Sequence, residues 1–174
     1  MLLRKKMNVN SSVVLGGAAA TICVVDDDPS MLKALERLLL SVGLSARLFR
    51  EPLGFLKYAR RNPVTVAVID IWIPGMSGIE LQKALRAVAP ETRVIVVTAD
   101  DEDSVRNAAI QDGATAFFAK PFDDEIFLDA VHHAIESAAD SCLDASAQRV
   151  VDPGGPPSIF RQEHVEITEV QAER

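Results

Sequence analysis

Apolar runs alternate with amphipathic stretches along the chain between Thr21 and about Ser137. Each of five short runs is rich in aliphatic or aromatic residues and ends at a polar residue or a turn signal. Continuous apolar runs of this length are typical of strands that are buried on both faces of a parallel sheet. The five runs cover residues 22–25, 45–49, 66–69, 94–97 and 116–119, and the run 45–49 is interrupted by Arg47.

The stretches between and after these runs predict five helices, because their apolar residues recur at spacings of three and four. Asp28 and Pro29 predict the start of the first helix, as N-cap and first helical residue, and Gly43 predicts its end. The second helix is predicted over 52–61 with Leu53, Phe55 and Leu56 facing inward. Ser77 is predicted to cap the third helix, and the fourth covers 101–112. Asp123 caps the fifth, whose apolar residues are Ile126, Phe127, Ala130, Val131, Ala134 and Ile135.

Five strand–helix units in succession predict an α/β fold of the flavodoxin-like, doubly wound type. The connections are long enough for right-handed crossovers, so we expect the five-stranded sheet to be parallel, with helices on both faces. We expect the strand order 2-1-3-4-5, which would make the first and third strands neighbours. We expect this domain to occupy residues 21–138. Residues 1–20 are predicted to be a flexible leader, with Met7 open as the true start. Residues 139–174 are predicted to be a linker and an acidic, disordered tail.

Charge, apolar run length and cysteine usage narrow the classes of function. The 174 residues carry a net charge of −7, which argues against direct binding of nucleic acid, since that requires a basic face. Apolar runs of about 18 residues are absent, so no membrane-spanning helix is expected. Cys23 lies in a predicted buried strand and Cys142 in a polar segment. We therefore expect no disulfide between them, which favours a reducing, cytoplasmic location.

Polar residues stand where four of the predicted strands end. Ligands of open parallel sheets bind beyond the carboxyl ends of the strands, so Asp26, Asp27, Asp70, Thr98 and Lys120 are expected to converge there. Crowded carboxylates repel one another unless a cation lies between them, and Mg²⁺ favours such oxygen ligands. One of the carboxylates would be the nucleophile, as in aspartyl-phosphate chemistry. The lysine ammonium and the threonine hydroxyl interact with the phosphoryl group.

Four sequence blocks resemble the signature blocks of response-regulator receiver domains. They occur in the family's order and with sensible spacing over residues 21 to about 138. Together they are far more specific than any one of them alone. The blocks are Val24-Val25-Asp26-Asp27-Asp28-Pro29, Asp70-Ile71-Trp72-Ile73-Pro74-Gly75-Met76-Ser77-Gly78, Val97-Thr98-Ala99 and Ala119-Lys120-Pro121-Phe122.

The resemblance implies a phosphoacceptor and a set of metal ligands. Asp70 matches the residue that accepts the phosphoryl group. Asp27 and Asp70 match the acids that bind Mg²⁺ or Mn²⁺, and Asp26 matches a partner that acts through water. The backbone carbonyl of Trp72 matches the third metal ligand that the protein supplies. We hypothesise further that the bulky Trp72 side chain limits the entry of water and so alters the lifetime of the aspartyl phosphate.

The resemblance also implies a switch. Thr98 and Lys120 match the pair that contacts the phosphoryl group, and Thr98 and Phe117 match the pair that changes conformation on phosphorylation. Phe117 departs from the frequent tyrosine, so its ring offers no hydroxyl for a switch-dependent hydrogen bond. The peptide bond between Lys120 and Pro121 is typically cis in the family.

The implied function is that of a phosphoryl-accepting signalling module rather than a metabolic enzyme. A sensor histidine kinase or a histidine phosphotransfer protein would be the donor. An output protein would bind the face formed by helix 4, strand 5 and helix 5, and homodimerisation stays open. The resemblance covers no output domain, and direct nucleic-acid or membrane binding is not expected.

Three alternatives remain. The chain could be the receiver portion of a transcription regulator without its DNA-binding domain, because a Pro/Gly-rich linker follows the domain but no helix-turn-helix can be drawn after it. It could be a phosphate sink that only drains a kinase, which sequence cannot distinguish from an effector. A hydrolase with an aspartyl-phosphate intermediate would require a second acid two residues after Asp70, and Trp72 occupies that position.

Overall fold

The computed structural model describes residues 14–15 and 18–147, and the side chains of residues 20–140. Between Ile22 and Ala147, five strands and five helices alternate. The strands are β1 (Ile22–Val25), β2 (Ala46–Phe49), β3 (Val66–Asp70), β4 (Arg93–Thr98) and β5 (Ala116–Ala119). The helices are α1 (Pro29–Ser41), α2 (Pro52–Ala59), α3 (Gly78–Val88), α4 (Asp103–Gln111) and α5 (Asp124–Ala147).

The five strands form one parallel sheet in the order β2-β1-β3-β4-β5, which confirms the predicted doubly wound α/β fold. The register aligns the carboxyl ends of neighbouring strands. Val25, the last residue of β1, lies opposite Phe49 on one side and Ile69 on the other. The residues that follow β1 and β3 therefore emerge at the same edge of the sheet.

Alternate side chains of the strands point into two separate cores. Cys23, Val25 and Ile69 pack on the face that carries α2, α3 and the one buried residue of α4, Ala109. Val24 belongs to the opposite face, together with buried residues of α1 and α5. Because both faces are covered, the central strands are apolar throughout, as is typical of parallel sheets.

The predicted helix starts have the expected hydrogen bonds. The Asp28 side chain accepts a hydrogen bond from the Ser30 N–H at 2.8 Å, with Pro29 at the first helical position. Ser77 and Glu80 form a reciprocal capping box at the start of α3. Gly43 follows α1 with a φ of +80°, a conformation that glycine adopts without a steric penalty.

One inward-facing prediction is wrong, and one apolar residue of the last helix is exposed. Leu53 is 59% exposed, whereas Phe55 and Leu56 are buried as predicted. In the last helix, Ile126 is 62% exposed while Phe127 is fully buried. In both helices the side chain next to a buried position is rotated by about 100° from it, so it points away from the sheet.

The helix α5 extends to Ala147, beyond the predicted end of the domain at 138. Residues 139–147 contain no glycine or proline that would end the helix. Val14–Leu15 and Ala18–Ala19 form a short antiparallel pair within the segment that was predicted to be a leader. The rest of that leader and the tail from 148 onward lie outside the described residues. No helix in the described part of the chain is long and apolar enough to cross a membrane.

Candidate functional site

Three acids meet at the carboxyl edge of the sheet. Asp26 and Asp27 directly follow β1, and Asp70 is the last residue of the adjacent strand β3. Carboxylate oxygens of the three side chains lie within 4.8 Å of one another. The structure therefore brings together the three acids that the sequence predicted, at the place where the winding of the sheet reverses.

Asp26 is buried, and both of its carboxylate oxygens have partners. Oδ1 accepts a hydrogen bond from the Asp28 N–H at 2.8 Å, and Oδ2 accepts one from Lys120 Nζ at 2.9 Å. A carboxylate that is engaged on both oxygens is poorly placed to bind a metal ion directly. This arrangement fits the expectation that Asp26 acts through water.

The Asp70 carboxylate is held by one of its two oxygens. Oδ1 accepts a hydrogen bond from the backbone N–H of Ile71 at 2.9 Å and lies 3.5 Å from Lys120 Nζ. Among the described residues, no hydrogen bond reaches Oδ2. Asp70 is only 7% exposed, so solvent reaches its carboxylate only through a small opening at the carboxyl edge of the sheet.

Gly78 allows the start of α3 to lie against the backbone of Asp70. A Cβ atom at position 78 would stand 2.3 Å from the Asp70 carbonyl oxygen and 2.8 Å from Ile71 Cα. The Gly78 N–H also donates a hydrogen bond to the Ile71 carbonyl at 2.8 Å. A larger residue would push the loop after β3 away from the helix.

Lys120 is the cation of the site. It follows β5, and its ammonium lies between Asp26 Oδ2 and Asp70 Oδ1, with the side chain 17% exposed. The Lys120 N–H also donates to the Thr98 carbonyl at 2.7 Å, which fixes the end of β5 against β4. The Lys120–Pro121 peptide bond is cis. The predicted lysine therefore points into the acid cluster.

Burial raises the pKa of the Asp70 carboxyl above its usual value of 3.8. The positive charge of Lys120 opposes this shift, the negative charge of Asp26 adds to it, and the Ile71 N–H opposes it. The folded protein thus binds a proton at Asp70 more tightly than the unfolded chain does. The stabilising contribution of protonated Asp70 is complete below the unfolded pKa and is lost as pH rises through the folded pKa.

We expect Asp70→Asn to stabilise the metal-free protein increasingly as pH rises from about 4 to neutrality. The amide carries no charge to desolvate, so the variant escapes the cost of ionising a buried carboxyl. Urea unfolding in the presence of a chelator would measure the difference at each pH. The control is Asp28→Asn, which removes an exposed acid but keeps a good N-cap. A stability difference for Asp70→Asn that does not change with pH would contradict the expectation.

The donor set suits a divalent cation. Three carboxylates and one ammonium leave a formal charge of −2 when all the acids are ionised, and oxygen donors are those that Mg²⁺ prefers. Asp27 is half-buried and borders an open cleft of about 450 Å³, together with Trp72 and Glu80. The Trp72 side chain is 61% exposed on this cleft. Space for a hydrated ion therefore adjoins the cluster.

Thr98 and Phe117 lie on the neighbouring strands β4 and β5. Thr98 is fully buried, and its Oγ1 accepts a hydrogen bond from the Asp100 N–H at 3.1 Å. Phe117 is half-buried against the core on the α2–α3–α4 side of the sheet. Thr98 thus lies at the carboxyl edge of the sheet with the acid cluster, whereas Phe117 lies opposite Val96, two residues before the end of β4.

Two basic residues escaped the sequence analysis. Arg106 of α4 lies with its guanidinium carbon 4.7 Å from the centre of the Phe117 ring. Arg50, in the loop after β2, donates a hydrogen bond to the Asp27 carbonyl at 3.4 Å. No motif marks either residue, because each contact depends on how a helix or loop packs against a strand that is distant in sequence.

Comparison with known proteins identifies the family. The sequence profile described as the response regulator receiver domain matches residues 22–132, which is more than half of the chain. Its members are signalling modules that are switched by phosphorylation, and the fold and site described above are of this class. The chain belongs to the response-regulator receiver family.

Curated relatives cover the same region. The chain is 32% identical over 120 residues to the response regulator protein TodT of Pseudomonas putida, covering 69% of this chain and 53% of that protein. It is 33% identical over 117 residues to nodulation protein W of Bradyrhizobium diazoefficiens, covering 67% and 52%. The chain thus spans about half the length of the curated relatives that it matches.

Solved structures support the fold. The beryllofluoride-activated NtrC4 receiver domain dimer is 29% identical, with a TM-score of 0.65, and the match covers 68% of this chain and 98% of that one. A CheY-like receiver domain protein from Methanospirillum hungatei is 22% identical, with a TM-score of 0.66 and coverage of 70% and 98%. Because the Methanospirillum hungatei protein is only 22% identical, its likeness to this chain concerns the fold alone.

Proposed function

We propose that this receiver accepts a phosphoryl group on Asp70 from a phosphohistidine and thereby changes its affinity for an output partner. The observation that carries the proposal is the environment of the Asp70 carboxylate. One oxygen is fixed by the Ile71 N–H, the other has no hydrogen-bond partner within the described residues, and Lys120 lies beside the pair. Such a carboxylate is oriented for nucleophilic attack.

The reaction is a displacement at phosphorus. Asp70 Oδ2 forms the new P–O bond while the P–N bond to the donor imidazole breaks, and the departing imidazole takes its proton from water. Lys120 offsets the negative charge on the phosphoryl oxygens during the transfer. Ionised Asp70 is required, because a protonated carboxyl is a poor nucleophile.

Asp27, Asp70 and the Trp72 carbonyl would hold Mg²⁺ or Mn²⁺, with Asp26 acting through water. When bound, the ion would reduce the repulsion between the acids and the incoming phosphoryl group. The three carboxylates and the adjoining cleft support this assignment. The exposed Trp72 side chain lies at the mouth of the same cleft, which supports its proposed influence on water and on phosphoryl lifetime.

The switch begins at Thr98. Its hydroxyl is proposed to turn from the Asp100 N–H toward a phosphoryl oxygen, and Phe117 is proposed to follow. These changes would alter the face formed by α4, β5 and α5, where an output partner would bind. The two states need to differ by only a few kcal/mol for phosphorylation to exchange their populations.

The experiment that tests this function is uptake of phosphoryl from a small acyl phosphate. We expect the intact mass to increase by one phosphoryl group when Mg²⁺ is present, and to stay unchanged in a chelator. Asp70→Asn is expected to show no increase under either condition. A metal-independent increase, or equal uptake by the variant, would contradict the proposal.

The donor and the location are proposed on family grounds. Receivers of response regulators interact with histidine kinases and with output domains, so a sensor kinase or a histidine phosphotransfer protein is the proposed donor. The buried, free thiol of Cys23, whose pKa burial raises to about 12, fits a reducing cytoplasm. Whether the domain activates an effector or drains a kinase is decided by finding a partner that binds only the phosphorylated form.

A further inference from the structure

Arg106 connects the switch aromatic to the loop that follows Thr98. Its guanidinium lies over the Phe117 ring, with 4.7 Å between the guanidinium carbon and the ring centre. The same group forms an ion pair with the Asp101 carboxylate. Arg106 therefore joins three elements, namely α4, β5 and the loop between β4 and α4.

The loop is in turn tied to Thr98 by hydrogen bonds. Thr98 Oγ1 accepts from the Asp100 N–H at 3.1 Å, and Asp100 Oδ1 accepts from the Glu102 N–H at 3.0 Å. Asp101 lies between these two residues. Any movement of Thr98 that releases the Asp100 N–H would therefore also displace the partner of Arg106.

Near this end the helix α4 has few other attachments, the main one being the partly buried Val105, which packs against the core. Its only buried side chain is Ala109 in the last turn, where the Ala109 carbonyl accepts a hydrogen bond from Gln82 Nε2 at 3.1 Å. The first turn has no side-chain cap at Glu102. The contacts of Arg106 with Phe117 and Asp101, together with the packing of Val105, thus join the first half of α4 to the rest of the domain.

We propose that Arg106 is a positioning residue that holds Phe117 and α4 in the unphosphorylated arrangement. Phe117 has no hydroxyl with which to form a hydrogen bond. The planar guanidinium over its ring is therefore a main polar contact that holds the ring in place. Phosphorylation would draw Thr98 away from Asp100, weaken the Arg106–Asp101 pair and release the ring. This inference rests on the proposed function of Asp70.

The test measures how tightly the protein binds a phosphoryl mimic. Beryllofluoride is titrated with saturating Mg²⁺, and the signal is the fluorescence of Trp72, the one tryptophan of the chain, which lies beside the acid cluster. Removing a contact that favours the unphosphorylated state raises the population that binds the mimic. We expect Arg106→Gln to bind beryllofluoride about threefold more tightly, which is the scale of one exposed cation–π contact.

The direction of the change in beryllofluoride affinity distinguishes the proposed positioning role of Arg106 from a general effect of its positive charge. Arg106→Gln removes a positive charge near an anion site, and that effect alone would weaken binding of the anionic mimic. The matched control is Lys83→Gln, which breaks another ion pair next to α4, between Lys83 and Asp112 at 3.4 Å. We expect no tightening in this control, because Lys83 does not contact Phe117.

A double-mutant cycle tests whether Arg106 acts through Phe117. In a Phe117→Leu background, Arg106→Gln is expected to have no further effect on the apparent affinity. Unchanged or weaker binding by Arg106→Gln, equal tightening by Lys83→Gln, or full additivity in the cycle would each overturn the inference. Failure of the wild-type protein to bind beryllofluoride with Mg²⁺ would instead overturn the proposed function.

Discussion

Lys120→Met is expected to slow phosphoryl transfer to Asp70 by about 100-fold, the scale observed when one group that stabilises transition-state charge is removed. The Lys120 ammonium lies 2.9 Å from Asp26 Oδ2 and 3.5 Å from Asp70 Oδ1. Methionine retains a chain of similar length but carries no charge. The variant therefore separates the electrostatic role of the side chain from its packing.

The substitution Lys120→Met also changes the pKa of Asp70, the proposed nucleophile. The positive charge of Lys120 opposes the upward shift of the Asp70 pKa, so its removal raises that pKa further. We therefore expect the pH profile of phosphorylation in Lys120→Met to move toward higher pH, in addition to the lower rate. Rates of mass increase with a small acyl phosphate, measured at several pH values, report both effects.

The control for Lys120 is Lys83→Met, at an exposed lysine that lies outside the acid cluster. Its phosphorylation rate is expected to match the wild type. A wild-type rate in Lys120→Met would show that no cation is needed beside Asp70. A lower rate with an unshifted pH profile would contradict the electrostatic coupling between the two side chains.

Asp27→Asn is expected to weaken Mg²⁺ binding by at least about tenfold, because it removes a full negative charge from the residues that would hold the ion. Asp27 is the member of the cluster that borders the open cleft, whereas Asp26 is engaged on both oxygens by Asp28 and Lys120. Asp27 is therefore better placed than Asp26 for direct ligation. Titration with Mg²⁺, followed by calorimetry or by Trp72 fluorescence, measures the affinity.

Asp28→Asn is the matched control for this measurement. It removes the adjacent acid, whose side chain caps α1 through the Ser30 N–H and does not join the cluster. We expect its Mg²⁺ affinity to stay within about threefold of the wild type, since an exposed charge is screened by solvent. Equal losses in the two variants would mean that general negative charge, rather than ligation by Asp27, attracts the ion.

The fold could be predicted in most respects from the apolar runs. Buried parallel strands require apolar residues on both faces, and this requirement leaves a clear signal in β1, β3 and β4. The same logic predicted the site, because residues at the ends of adjacent parallel strands must share an edge of the sheet. Asp26, Asp27 and Asp70 are brought together by backbone register alone.

Other features depend on packing, which the pattern does not determine. Leu53 is apolar yet exposed, because Phe55 and Leu56 already fill the contact of the short helix α2 with the sheet. The Arg106–Phe117 contact depends on how α4 packs against β5, which the apolar pattern does not determine. The contacts of Lys120 with both Asp26 and Asp70 likewise depend on packing and could not be predicted from the sequence.

The most direct test of the account is chemical identification of the phosphorylated residue. Borohydride reduces an aspartyl phosphate to homoserine, so reduction after treatment with Mg²⁺ and an acyl phosphate marks the acceptor covalently. Peptide mass spectrometry is expected to find homoserine at position 70 and only aspartate at positions 26 and 27. Homoserine at either of those positions, with Asp70 unchanged, would contradict the assignment of Asp70 as the acceptor.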